Sequence, residues 1–196
     1  MSATLLRALV LTAWAAWLVG YWRLGLTALG AVRASRREQT ALGDRAVMLT
    51  VPMLTLALLV DLGLVCVDGA KGAGGQHRWS AAAGTLAALA GMAGTIYGRS
   101  CLRHCWRAQT TLVEHHLVVA TGPYRLVRHP IFASALLMYA GTALAAGTAV
   151  AWSVCAGVVA CYVYKTQFED RFLANRLDGY RAYCHRVRFR LVPGVW

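Results

Sequence analysis

The sequence predicts an all-α integral membrane protein with about five transmembrane helices, on three observations. Of its 196 residues 58% are apolar and only 14% charged, with a positive mean hydropathy, which is too apolar for a soluble domain of this size. The apolar residues fall in blocks long enough to cross a bilayer, where about 20 residues at 1.5 Å rise span ~30 Å of hydrocarbon. The arginines, which carry most of the net charge of +12, flank those blocks instead of lining one soluble face. Flanking positive charge is what membrane orientation requires, and it argues against a nucleic-acid surface. The length suits one domain, with 1–97 as anchoring spans and 98–196 as a second, more polar half.

The first span covers about residues 4–26 and carries Trp14, Trp17, Tyr21 and Trp22. It is too long for a signal-peptide core and further spans follow, so it reads as an anchor. Arg33, Arg36, Arg37 and Arg45 form a basic loop before the second span, about residues 46–67. That span contains Pro52, which a membrane helix tolerates when neighbours satisfy the freed carbonyl. It also contains Asp61, placed about two turns from the loop end, from where its carboxylate is expected to reach water.

Residues 68–79 (DGAKGAGGQHRW) form a glycine-rich loop without a GxxxxGK[ST] phosphate cradle. The third span, about residues 80–97, spaces Gly84, Gly91, Gly94 and Gly98 for close helix–helix approach. A polar helical extension follows, GRSCLRHCWRAQTTL, with Cys101, His104 and Cys105 on one face. Zinc-type C-x2-C and H-x3-H spacings are absent there, and the segment reads as a basic interfacial helix with no metal. The six cysteines (66, 101, 105, 155, 161, 184) do not make a disulfide framework.

Residues 131–165 are apolar and interrupted by Gly147-Thr148. The stretch is too long for one span and fits a hairpin of two, about 131–146 and 149–164. A polar, mostly helical tail follows, broken at Asp178-Gly179. With five spans, every arginine-rich segment falls on one side: four after the first span, five between the third and fourth (99, 103, 107, 125, 128), six beyond Lys165. The positive-inside rule makes that side cytoplasmic and puts the N-terminus outside.

Residues 116–134 (HLVVATGPYRLVRHPIFAS) concentrate histidines, arginines, a glycine-proline turn and a tyrosine between apolar segments. The hairpin after them returns the chain to the face it left, because packed antiparallel helices lie only ~8–10 Å apart. Tyr124, Arg128 and His129 should therefore meet Glu169 and Asp170 in one cytoplasmic pocket. Guanidinium groups suit a carboxylate or phosphate, carboxylates an ammonium, and aromatic faces a soft cation. Those features complement S-adenosylmethionine, and the arginines could also serve the phosphates of a nicotinamide dinucleotide. Arg125 reads as a positive-inside anchor, His115 as solvated, Asp178 as a turn residue, and Arg186, Arg188 and Arg190 as a membrane-surface stripe.

His116-x4-Thr121-Gly122-Pro123-Tyr124-x2-Val127-Arg128-His129-Pro130, the apolar hairpin, the acidic pair and a tail with Tyr180, Tyr183 and Pro193-Gly194 resemble the isoprenylcysteine carboxyl methyltransferases and the related phospholipid N-methyltransferases. The resemblance covers roughly residue 98 to the C-terminus. It implies a cytoplasmic C-terminal half that encloses S-adenosylmethionine, and lateral access for a lipophilic acceptor, either a carboxylate or an amine. Carried over by position, it implies that His116, Leu117 and Val118 lie along the cofactor. Gly122, Tyr124, Arg128, His129 and Pro130 would frame it, and Glu169 would take its ammonium. Arg128, Glu169 and Arg176 become the residues closest to the chemistry, with Arg176 facing the substrate.

Three positions depart from the family pattern. Phe132 stands where RHPxY has tyrosine, Ser134 where glycine is usual, with a narrower pocket floor expected, and Asp170 where a second glutamate is usual. Two rivals remain open at this point: an NADPH-dependent reductase like the C-terminal half of membrane sterol reductases, and a non-enzymatic scaffold holding anionic lipid headgroups.

Overall fold

The computed structural model of the protein describes residues 2–32, 42–70, 78–102 and 118–196. Among them are six α-helices and no strand: α1 (Ala3–Val32), α2 (Leu42–Ala70), α3 (Arg78–Leu102), α4 (Pro130–Ala146), α5 (Ala149–Arg176) and α6 (Tyr180–Arg186). A 3-10 turn (Gly122–Arg125) precedes α4. Pro52 lies inside α2 without ending it. The polar continuation of α3 stops at Leu102 in the described chain, and His104, Cys105, His115, His116 and Leu117 lie outside the described residues. The five described cysteines are free.

Four helices, α1, α2, α3 and α5, are long and apolar enough to cross a membrane. The expected fifth span, α4, has 17 residues, which at 1.5 Å rise is ~25 Å. Its shortness is matched by its position, because every other long helix packs against it. A helix that is apolar on all sides belongs in an interior. Trp14 of α1 donates its indole N–H to Thr142 at 3.0 Å, Thr55 of α2 hydrogen-bonds the Tyr139 hydroxyl, and Tyr162 of α5 stacks on Phe132 with ring centroids 4.9 Å apart.

The tightest seam is between α3 and α4. A Cβ on Gly84 would stand 2.6 Å from the Gly141 carbonyl oxygen, and one on Gly91 2.6 Å from that of Ser134. Gly94 and Gly98 face Ser134 and Ile131 in the same way. The expected glycine ridge is therefore the contact surface, which lets the two backbones touch in a medium where apolar burial alone drives nothing. These contacts also run the two helices antiparallel, so the end of α3 meets the start of α4.

At the opposite end of the bundle the hairpin turns. Gly147 takes a left-handed conformation (φ 74°) and closes α4 through its N–H to Ala143. Thr148 caps α5, its hydroxyl accepting from Ala151 N at 3.0 Å and donating to Asp61 Oδ2 at 2.5 Å. Asp61, half-buried, also pins the hairpin turn to α2. Arg7 of α1 is also buried here, its Nε donating to Ala145 O at 2.9 Å, where the carbonyl end of α4 favours a cation. Thr148→Val should cost about 1–2 kcal/mol in thermal unfolding from micelles by removing the cap and stranding Asp61, and Thr148→Ser should recover most of it.

Candidate active site

The site lies at the end of the bundle opposite the hairpin turn, and local backbone chemistry begins it. Thr121 is extended, Gly122 turns with φ 57°, and Pro123 fixes the start of the 3-10 turn. A Cβ on Gly122 would come within 3.1 Å of Cys101 Sγ and 3.3 Å of the Tyr97 hydroxyl, so the turn is seated on the end of α3. Tyr124 is buried beneath it and donates to Gly98 O at 3.3 Å. Tyr183 of α6 in turn donates to Tyr124 O at 2.8 Å.

The tail then returns along the motif. Arg128 N donates to Phe189 O and His129 N to Arg190 O, both at 2.9 Å. Pro130, the first residue of α4, has no N–H to place, so the chain passes from tail pairing into helix without an orphaned donor.

Asp170 is the centre of the charged cluster. Oδ1 accepts from His129 Nε2 at 2.9 Å and from the Tyr180 hydroxyl at 2.7 Å. Oδ2 accepts from Arg190 Nε at 2.7 Å and forms an ion pair with Arg128 Nη1 at 2.8 Å. Three hydrogen bonds and this further ion pair surround the carboxylate. Its side chain is only 8% exposed, so these contacts are weakly screened. Arg128 also reaches Cys184 Sγ at 3.3 Å and Arg188 O at 3.2 Å, while its buried Nε has no hydrogen-bond partner among the described residues.

Glu169 is engaged differently. Its contacts with Lys165 Nζ and His129 Nδ1 are 3.4 and 3.5 Å, longer than any around Asp170. His129 therefore has a carboxylate at each ring nitrogen. Burial alone would push its pKa down, but the hydrogen bonds to Asp170 and Glu169 outweigh this and raise it above 6.5. The two flanking carboxylates therefore favour the protonated ring, in which both nitrogens carry a proton. Burial raises the pKa of Tyr124 and Tyr183; burial and then the Asp170 charge raise that of Tyr180. All three phenols stay neutral donors.

The remaining expected residues are distributed unevenly. Val118 packs against the Tyr180, Tyr183 and Val187 cluster under the tail. Arg176 is exposed in the last turn of α5, its guanidinium 5.2 Å from the Phe172 ring centroid and about 9 Å along the axis from Asp170. Phe132 stacks on His129 with centroids 5.9 Å apart, holding the imidazole by contact where a tyrosine would add a hydroxyl. Ser134, expected to narrow the pocket floor, sits in the α3–α4 seam against Gly91 and Gly94.

Two assignments change in kind. Asp170, expected to share the pocket with Glu169 in place of the family's second glutamate, holds the cluster together. Arg190, expected to belong to a surface stripe with Arg186 and Arg188, is a second guanidinium on Asp170 beside Arg128. Nothing in the spacing 186, 188, 190 separates it from its neighbours; only the return of the tail does. Among the described residues no group of histidine, cysteine and acidic side chains could hold a metal ion.

A comparison with protein families matches residues 79–178 to phospholipid methyltransferases. Among curated proteins none matches the chain. The matched stretch is more than half of the chain and contains α3, the motif, the hairpin and the acidic pair. The chain is therefore a membrane methyltransferase and belongs to the phospholipid methyltransferase family.

Proposed function

We propose that this methyltransferase uses S-adenosylmethionine to methylate a lipophilic acceptor at the cytoplasmic face of the membrane, with the N-terminus outside. The observation that carries this reading is the closure of the hairpin, which leaves Glu169 3.5 Å from His129 beside Arg128. The residue types fit the cofactor: a carboxylate for an ammonium, and a buried guanidinium with an unpartnered Nε for a carboxylate. When bound, the cofactor supplies an electrophilic sulfonium methyl. Glu169 holds its ammonium and Arg128 its carboxylate. Val118, Gly122, Tyr124, His129 and Pro130 frame it, and Arg176 faces the acceptor. The family match favours methyl transfer over the reductase and scaffold readings.

The state of His129 bears on the acceptor. In its protonated form, which the two carboxylates favour, His129 has no lone pair, so it orients charge and does not take a proton. A carboxylate acceptor needs no base; for an amine, Glu169 is the group that receives the proton. Glu169→Ala should bind cofactor at least ~10-fold more weakly and lower methylation of a lipid extract by ~100-fold, with an unchanged helical circular dichroism spectrum. Folded Glu169→Ala protein with normal calorimetric binding and normal labelled-methyl transfer would sink the assignment.

A further inference from the structure

Two of the three hydrogen-bond donors on Asp170, Tyr180 and Arg190, come from the tail beyond residue 178, outside the stretch that matches the family. We propose that Arg190 is a positioning residue of the methyl-transfer site, acting through Asp170 to set the charge and orientation of His129 and Arg128. The inference rests on the function proposed above for its catalytic meaning, but not for its geometry.

Arg190 is itself held at several points. Its carbonyl accepts from His129 N, its own N–H donates to Trp196 O at 2.9 Å, and its guanidinium lies 5.0 Å from the Trp196 ring centroid. The side chain is 30% exposed while the carboxylate it meets is 8% exposed. It therefore covers the cluster from the solvent side, on a carboxylate that also meets His129 and Arg128. Asp170 is shared, so its partners compete. Each positive charge on Oδ2 weakens the hold that the carboxylate has on the imidazolium at Oδ1. Arg190 thereby keeps His129 from being bound too tightly and stops Arg128 from swinging outward along Oδ2.

The groups facing His129 are Asp170 and Glu169 from α5, Lys165 behind Glu169, Arg128 beside it, Tyr180 from α6 and Arg190 from the tail. This arrangement gives opposite expectations for two changes at one contact. Removing the cation frees negative charge for His129 and moves its protonation midpoint up. Removing the carboxylate charge moves it down. A loosened fold would expose the imidazole in both proteins and shift both the same way.

The test is a histidine-selective carbon-13 NMR titration of the full chain in micelles, with the His129 signal assigned by its loss in His129→Gln. Arg190→Gln should move the midpoint up, Asp170→Asn should move it down, and Arg190→Lys should lie between Arg190→Gln and the wild type. Methylation of a lipid extract with labelled cofactor, measured alongside, should show ~10- to ~100-fold loss in kcat for Arg190→Gln with a smaller change in KM. An unmoved midpoint in Arg190→Gln, or movement in the same direction as Asp170→Asn, overturns the proposal. If Asp170→Asn does not fold, the direction of the Arg190→Gln shift decides alone. Midpoints that move as expected in a protein whose wild type transfers no methyl would overturn the proposed function and leave the positioning role standing.

Discussion

Asp170→Ala should release the tail from the bundle while leaving the four long helices assembled. The carboxylate is bound by two arginines, a histidine and a tyrosine, and its removal leaves two guanidinium groups and the His129 ring facing one another near the end of α5. Removing one partner of a buried ion pair costs about 3–5 kcal/mol, because the charge left behind has lost both water and partner. Exposure of Arg190 to solvent discounts its share, which places the expectation towards the lower end of that range. The helix seams do not involve Asp170. Trypsin should therefore cut the mutant faster at Arg186, Arg188 and Arg190 than the wild type, while helical content in micelles stays the same. Equal cleavage rates would show that the carboxylate does not fasten the tail.

The deficit should also depend on pH. His129 has a folded pKa above its ordinary 6.5. A group raised in this way gives its full stabilisation below the unfolded value and loses it as pH rises through the folded one. Despite its burial, which acts to raise it, Asp170 is held below its ordinary value of 3.8 by His129, Arg190 and Tyr180. Its contribution is therefore present above that value and is lost as pH falls below it. The wild type should exceed Asp170→Ala by most between about pH 4 and pH 6.5, with the gap narrowing on both sides. It should not close on the alkaline side, since Arg128 and Arg190 stay charged and keep their claim on the carboxylate.

How much of this was legible in the sequence depends on how far apart the interacting residues lie. The Gly147-Thr148 turn, the glycine ridge of α3 and the break at Asp178-Gly179 are local signals, and each is where the sequence puts it. The meeting of Glu169 with His129 is long-range but legible, because an antiparallel hairpin fixes where its two ends arrive. Contacts without a periodic or topological signature were not legible. Asp61 with Thr148 spans 87 positions, and Arg7 with Ala145 spans 138. Arg190 looked like its neighbours because charge, spacing and composition are identical along that run. The depth of α4 was hidden too, since its length suggested a short span and only the small residues around it gave away its central place.

The second large effect is expected at that central helix. Gly91→Ala would put a methyl 2.6 Å from Ser134 O and 2.7 Å from Met138 Cα, and Gly141→Ala one 2.7 Å from Gly84 O. These neighbours are backbone atoms and have no rotamer to yield, so α3 and α4 must separate. Overpacking of this kind costs about 1–3 kcal/mol, visible as a lower thermal midpoint in micelles. The double substitution should cost less than the sum, because helices already pushed apart by the first methyl make room for the second. Gly63→Ala is the control: nothing lies within 4 Å of its added methyl, and a helical glycine replaced by alanine should gain about 0.5–1 kcal/mol. Methyl transfer should suffer more than stability. His129 immediately precedes α4 and α5 carries Asp170, so a shift of α4 away from α3 strains the 2.9 Å contact between them. Gly91→Ala protein with a lowered midpoint but unchanged transfer would mean that the seam sets stability alone, and that the α4 register does not govern the geometry at His129.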